Sequence, residues 1–195
     1  VLPGSRRSEI RHHMAIFGET LGRLHAQGTA FESILPTMPH LVDAVRAGVA
    51  GWPVQPKIVV GETEKRAAFR IARAALAKSG TVTLELALSG VPMVAAYRAG
   101  SIEAFIVLRA IKVSSVILAN LVIGENVVPE FIQNDCTPEN LAGSLHELLA
   151  DSPQRRRQVD AFKRIDTIMS IGGEPPSVRA ADIVLAMMRE GRRTA

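Results

Sequence analysis

Ala74-Ala75-Leu76-Ala77 runs straight into Lys78-Ser79-Gly80-Thr81-Val82-Thr83 and on to Leu84-Glu85. An apolar segment, a glycine turn and a helix opening follow one another without a spacer. Gly80 permits close approach of a ligand to the backbone. Ser79 or Thr81 is placed to cap the helix. Free N–H groups at such a helix start, together with its dipole, favour an anion. That the segment before the turn is a strand follows mainly from its place in an alternation along the chain.

Working outward, the chain opens on Val1-Leu2 running into Pro3-Gly4, which reads as the last two residues of a strand, so the chain is expected to be cut from something longer. A helix is predicted over Ser8–His25, because Ile10, Met14, Phe17, Leu21 and Leu24 fall at spacings of 4, 3, 4 and 3. A strand is expected at Phe31–Leu35, ended by Pro36 and Pro39. A helix on Leu41, Val42, Val45 and Val49 follows, then a β-branched strand at Lys57–Val60. Next come a helix at Glu62–Ala72, the Ala74–Ala77 strand, a helix at Thr81–Leu88, a strand at Pro92–Tyr97, a helix at Ser101–Ile111 and a strand at Ser114–Leu118. Beyond Asn120 only helices are expected, two of them opened by Thr137-Pro138-Glu139 and Asp151-Ser152-Pro153. Gly172-Gly173-Glu174-Pro175-Pro176 reads as a hinge before a last helix, Ser177–Arg189. Residues 1–170 are therefore one domain and 171–195 a hinge and terminal helix. Strands alternating with helices imply an α/β fold, a parallel sheet with helices on both faces. In such sheets ligands bind beyond the carboxyl ends of the strands.

Composition narrows the partners. With 47% hydrophobic residues the chain is not disordered. Its apolar stretches, such as Val116 to Ile123, are too short to span a bilayer. Arg6, Arg7, Arg11 and two histidines interrupt the N-terminus before a signal-peptide core forms. The single cysteine, Cys136, allows no internal disulfide, pointing to a reducing compartment and a small packed residue. The net charge of +4 suits anionic partners. Six Phe, one Trp and one Tyr, with no basic run among them, argue against a nucleic-acid stacking platform. The run Arg155-Arg156-Arg157 reads as a solvated helix face.

Two loops leave a strand and open a helix with phosphate-binding character. The first is Gly4-Ser5-Arg6, where Arg6 adds a fork of donors matched to phosphate oxygens. The second is Ser79-Gly80-Thr81, with Glu85 one turn further along its helix, placed to accept bonds from two vicinal hydroxyls. Each alone is also compatible with a plain turn. If the first and fourth strands are neighbours, both loops face one crevice. Neither a P-loop nor Gly-x-Gly-x-x-Gly is present, which disfavours ATP hydrolysis and NAD chemistry. No His/Cys/Asp cluster has metal-ligand spacing, so neither metal nor cofactor is expected. Asn120 either faces the crevice or forms a turn. Glu130 and Gln133, three apart on a short expected helix, either line the crevice or face solvent.

Taken together, Leu2-Pro3-Gly4-Ser5-Arg6, Ser79-Gly80-Thr81-Val82-Thr83-Leu84-Glu85, Gly90-Val91-Pro92-Met93-Val94, Tyr97-Arg98, Asn120-Leu121 and Pro129 to Cys136 resemble the lipid-A-disaccharide synthase family, in order and over residues 1 to about 150. The resemblance implies one Rossmann-like half of a GT-B glycosyltransferase. It implies transfer of 2,3-diacylglucosamine from UDP to 2,3-diacylglucosamine 1-phosphate, without metal. It implies that Gly4, Ser5, Arg6, Ser79, Gly80 and Thr81 hold the diphosphate, that Glu85 holds the ribose, and that Asn120, Glu130 and Gln133 lie near the donor sugar or uridine. The catalytic base is expected in an N-terminal domain that this chain lacks. The terminal helix would cross to that domain or swap within a homodimer. A cytoplasmic protein peripheral to the inner membrane of a Gram-negative bacterium is implied. Departures from the family pattern are Arg7 for glycine, Ala119 for proline and Glu125-Asn126 for a more basic segment. Other readings of the same residues are a UDP-sugar epimerase-like enzyme and a UDP-sugar-binding module of a split transferase. A basic membrane stripe at Phe105, Ile106, Leu108, Arg109, Ile111 and Lys112 is a further alternative.

Overall fold

Ala75-Leu76-Ala77-Lys78 and Met93 to Tyr97 are small or apolar at every position but the last of each, as strands buried on both faces require. In the computed structural model, which describes residues 1–98, 115–170 and 175–191, they form β3 (Ala75–Lys78) and β4 (Met93–Tyr97). The two pair in parallel from Ala75 opposite Met93 to Lys78 opposite Ala96. Their side chains alternate between two cores. Leu76, Val94 and Ala96 join Ile10, Met14, Phe17, Leu21 and Leu24 of α1 (Arg7–Ala26). Ala75, Ala77, Met93 and Ala95 join Leu86 and Ala87 of α4 (Val82–Leu88), with Ile117, Phe162 and Ile165. Helices therefore cover both faces.

β1 (Ile34–Thr37) pairs in parallel with β2 (Lys57–Val60), from Ile34 opposite Lys57 to Thr37 opposite Val60. The Val1–Leu2 segment joins the two halves of the sheet. Leu2 N donates to Leu76 O and Lys78 N to Leu2 O, each at 2.8 Å, while the Val1 nitrogen donates to Ile34 O at 2.7 Å. The expected adjacency of the first and fourth strands is thus present. A parallel ladder would next draw donors from residues 36 and 3, but both are proline and have no N–H. The ladder stops there, and a cleft opens between Leu2 and Pro36.

Several expectations need correction. The strand after the first helix begins at Ile34 and includes Pro36, instead of ending before it. Residues 115–117 form no strand; Ile117 is extended, and α5 (Leu118–Ile123) begins directly after it. Asn120 therefore sits in a helix, not past a strand end. A strand missed by sequence, β5 (Glu130–Ile132), pairs with β4 from Ala95 opposite Glu130 to Tyr97 opposite Ile132. It has only three residues, too few for a periodicity to show. Glu130 is thus on a strand and Gln133 opens a 3-10 turn, so the short helix expected to carry both is absent. The predicted helix Ser101–Ile111, its proposed membrane stripe, Ser114 and the Gly172–Glu174 hinge lie outside the described residues.

The remaining helices are α2 (Val42–Val49), α3 (Glu62–Ile71), α6 (Pro138–Leu149), α7 (Pro153–Phe162), α8 (Ile165–Met169) and α9 (Pro176–Gly191). Thr137 and Ser152 cap α6 and α7 as expected, accepting from Asn140 N at 3.3 Å and Arg155 N at 3.0 Å. Arg155 departs from the solvated face: it is half-buried and its guanidinium donates to Leu148 O at 2.9 Å and to Arg73 O. No helix among the described residues is long and apolar enough to cross a membrane.

Candidate nucleotide cleft

The turns that leave the Val1–Leu2 segment, β2 and β3 converge on one cleft of about 340 Å³ at the carboxyl ends of the strands. Gly4 has φ +127°, and a Cβ there would stand 2.5 Å from Glu9 Cβ. Only glycine lets this turn fold back against the first turn of α1. Gly61, with φ +105°, starts α3 in the same way. Gly4, Ser5, Arg6, Gly80, Thr81 and Glu85 line the cleft together. The other sequence candidates lie elsewhere.

Ser79 is buried at the base of its turn, where its hydroxyl donates to Val116 O at 3.1 Å. Neither Ser79 nor Thr81 caps α4, a correction to the expected cap; instead Thr83 Oγ1 donates to Gly80 O at 2.7 Å. Asn120 is buried and holds the strand approach to β5, accepting from Val127 N and Val128 N while donating to Val128 O. Asn120 Nδ2 also donates to Glu130 Oε1 at 2.9 Å. Glu130 accepts from Val116 N at 3.0 Å and from the Ser115 hydroxyl. These two residues, Asn120 buried and Glu130 half-buried, therefore form a clamp on segment 115–120. Gln133, at the carboxyl edge of β5, has φ +53°, and its buried side-chain Nε2 finds no partner among the described residues.

The cleft also contains residues that sequence reading passed over. Lys78 ends β3 with its ammonium 3.0 Å from Glu9 Oε1 and 5.4 Å from the Tyr97 ring centre. Glu9 Oε2 accepts from Ser5 N at 2.8 Å and Arg6 N at 3.2 Å. Burial raises the Glu9 pKa, but the Lys78 ammonium and the two backbone donors more than offset this and hold it below the usual carboxylate range. Lys65 reaches Glu85 Oε2 at 2.7 Å from across the cleft. Two of these residues carry a local signal: Lys78 directly precedes the Ser79-Gly80 turn, and Glu9 stands three residues after Arg6, the spacing of a capping box. Lys65 has none, because its contact depends on how α3 and α4 are placed. Among the described residues no group of three His, Cys, Asp or Glu side chains is arranged to hold a metal. Cys136 is fully buried, and burial pushes its thiol pKa up, so it is a packed core residue.

A parallel sheet covered on both faces, with glycine turns gathered at its carboxyl edge, makes this a Rossmann-like domain, one half of a GT-B architecture. The lipid-A-disaccharide synthetase family model matches residues 1–174, and the chain belongs to that family. It is 74% identical over 193 residues to the lipid-A-disaccharide synthase of Bradyrhizobium diazoefficiens, covering 99% of this chain and 49% of that relative. Identity to the synthase of Rhodopseudomonas palustris strain BisB18 is 68% over 188 residues, covering 96% of this chain and 48% of the relative. For the synthase of Rhodospirillum centenum it is 40% over 185 residues, covering 95% and 46%. The chain thus spans about half the length of the curated relatives it matches.

Proposed function

We propose that this chain is the donor-binding half of a lipid-A-disaccharide synthase. It holds UDP-2,3-diacylglucosamine in the cleft. A second, N-terminal half supplies most of the pocket for the lipid acceptor, 2,3-diacylglucosamine 1-phosphate, and the base that takes the proton from its attacking hydroxyl. The acceptor oxygen bonds to the anomeric carbon, the bond from that carbon to the diphosphate breaks, and UDP leaves. Arg6 and the amides of the two glycine turns face the diphosphate and stabilise the charge that develops on it. Glu85 accepts from the ribose hydroxyls. Asn120 and Glu130 shape segment 115–120 on the side of the donor sugar or uridine, and Gln133 lies beside them.

One juxtaposition carries this reading: in a chain of this family, the Gly4–Arg6 and Gly80–Thr81 turns share one cleft with Glu85. Helix α9 fits the same picture. Its described side chains are exposed, including Ile183, Leu185, Met187 and Met188. An apolar exposed helix of this kind suits docking on the N-terminal half. The lipid substrates imply peripheral contact with the inner membrane.

The test is calorimetric titration with UDP and ADP. UDP binds and ADP does not. Arg6→Ala and Glu85→Ala each weaken UDP by about 1.5–3 kcal/mol, roughly ten- to hundredfold. A folded chain that binds no UDP even with the N-terminal half added would refute the assignment.

A further inference from the structure

Glu9 stands where an anion would. Its carboxylate takes four donors: the Ser5 and Arg6 amides on Oε2, and Arg6 Nη1 at 3.2 Å and Lys78 Nζ at 3.0 Å on Oε1. Two amides from a glycine turn, a guanidinium and an ammonium are the donor set that phosphate oxygens use. Lys78 also stands at the second turn, since a Cβ added to Gly80 would lie 3.7 Å from its Nζ. One ammonium therefore stands within reach of both turns. It is held in place, with 15% of its side chain exposed, whereas the Arg6 side chain, though paired with Glu9, is 77% exposed.

The charge balance of the cleft sharpens the point. Arg6, Lys65 and Lys78 line it against Glu9 and Glu85. With Glu9 ionised, the balance is too small for a diphosphate. A capping contact alone would not need the charge, because glutamine at this position also bonds the turn amides.

Resting on the donor-binding reading above, we infer that Lys78 is a phosphate-contacting residue of the nucleotide site and that Glu9 is its resident counter-ion. Glu9 fills the phosphate seat when the cleft is empty. The diphosphate takes over its donors on binding, and the released carboxylate turns to solvent. Each nucleotide bound therefore breaks the Glu9–Lys78 pair, so the acid lowers affinity while keeping the seat formed.

The sign of one substitution decides. Glu9→Gln keeps the capping bonds and removes the charge. It is expected to tighten UDP several-fold and leave uridine unchanged, while Lys78→Met weakens UDP about tenfold. In the wild-type chain, the Ser5 and Arg6 amide resonances shift on titration with UDP but not with uridine, because only the diphosphate changes their acceptor. Unchanged or weaker UDP binding by a folded Glu9→Gln chain overturns the exchange, as do unmoved Ser5 and Arg6 amides at saturating UDP. If Arg6→Ala and Glu85→Ala still weaken UDP in that case, the donor site stands and only the counter-ion role falls. If wild-type protein binds no UDP with the N-terminal half present, both fall.

Discussion

The Lys65 ammonium donates to Glu85 Oε2 at 2.7 Å, tying α3 to α4 across the mouth of the cleft. The same ammonium reaches Glu62 Oε2 at 2.8 Å, so it is anchored on its own helix while it orients a carboxylate on another. Such a pair sets direction more than stability. With Lys65 20% and Glu85 43% exposed, solvent screening leaves it worth about 1 kcal/mol or less.

Lys65→Met should therefore barely move the melting temperature but should blur recognition of the ribose. In the wild type, 2′-deoxy-UDP is expected to bind about tenfold more weakly than UDP, since a carboxylate loses one charged hydrogen bond. In Lys65→Met that ratio contracts toward one. Equal ratios in the two chains would show that Lys65 does not position Glu85.

Gly4→Ala places a methyl group 2.5 Å from Glu9 Cβ and 2.6 Å from Glu9 Oε2, on a backbone with φ +127°. The strain is about 1–3 kcal/mol, which lowers the melting temperature by several degrees. UDP binding should fall as well, because the strained backbone moves the turn whose amides face the diphosphate. A melting curve that overlays wild type would contradict the tight turn.

His13 supplies a pH dependence. It is buried, its Nδ1 lies 2.7 Å from Glu9 O, and its Nε2 accepts from Arg98 N at 3.1 Å. With a backbone N–H on Nε2, the ring proton sits on Nδ1 and the ring is neutral. Burial pushes its pKa below the ordinary 6.5. The unfolded chain then binds the proton first on acidification. Stability from this residue is complete above about pH 6.5 and falls as the pH drops toward the depressed folded value. Urea unfolding across pH 7.5 to 5 should show that slope, and His13→Gln should flatten it. Glu9, also depressed, acts in a separate window below its ordinary value of 4.5, where its contribution is lost as it protonates.

Gln158 completes a strand edge. Its Oε1 accepts from Met93 N at 2.8 Å and its Nε2 donates to Met93 O at 3.1 Å, in a fully buried position. β5 pairs with β4 only from Ala95 onward, so this amide stands in for the missing strand beside Met93. Gln158→Leu strands two buried backbone groups and should cost about 2–4 kcal/mol, read from urea unfolding. A loss below about 0.5 kcal/mol would mean that other groups satisfy Met93.

The sequence by itself determined the parts that depend on near neighbours. Spacings of 3 and 4 placed Ile10, Met14, Phe17, Leu21 and Leu24 on the buried face of α1. Glycine after an apolar run marked the turns at Gly4 and Gly80, and Thr137-Pro138 and Ser152-Pro153 marked two helix starts. A run of motifs was enough to reach the family. The tertiary structure decided whatever depends on partners far along the chain. β5 exists because residues 130–132 meet the edge of β4, not because three residues prefer to be extended. Glu130 and Asn120, both read as candidates for a crevice wall, turned to each other because polar groups withdrawn from water, Asn120 fully and Glu130 in part, must find partners, and those partners are fixed only once α5 lies beside β5. Lys65, Lys78 and Glu9 entered the cleft for the same reason. Short-range patterns set which segments become helices, strands and turns, but the pairing of charges across a cleft depends on where the sheet places those segments.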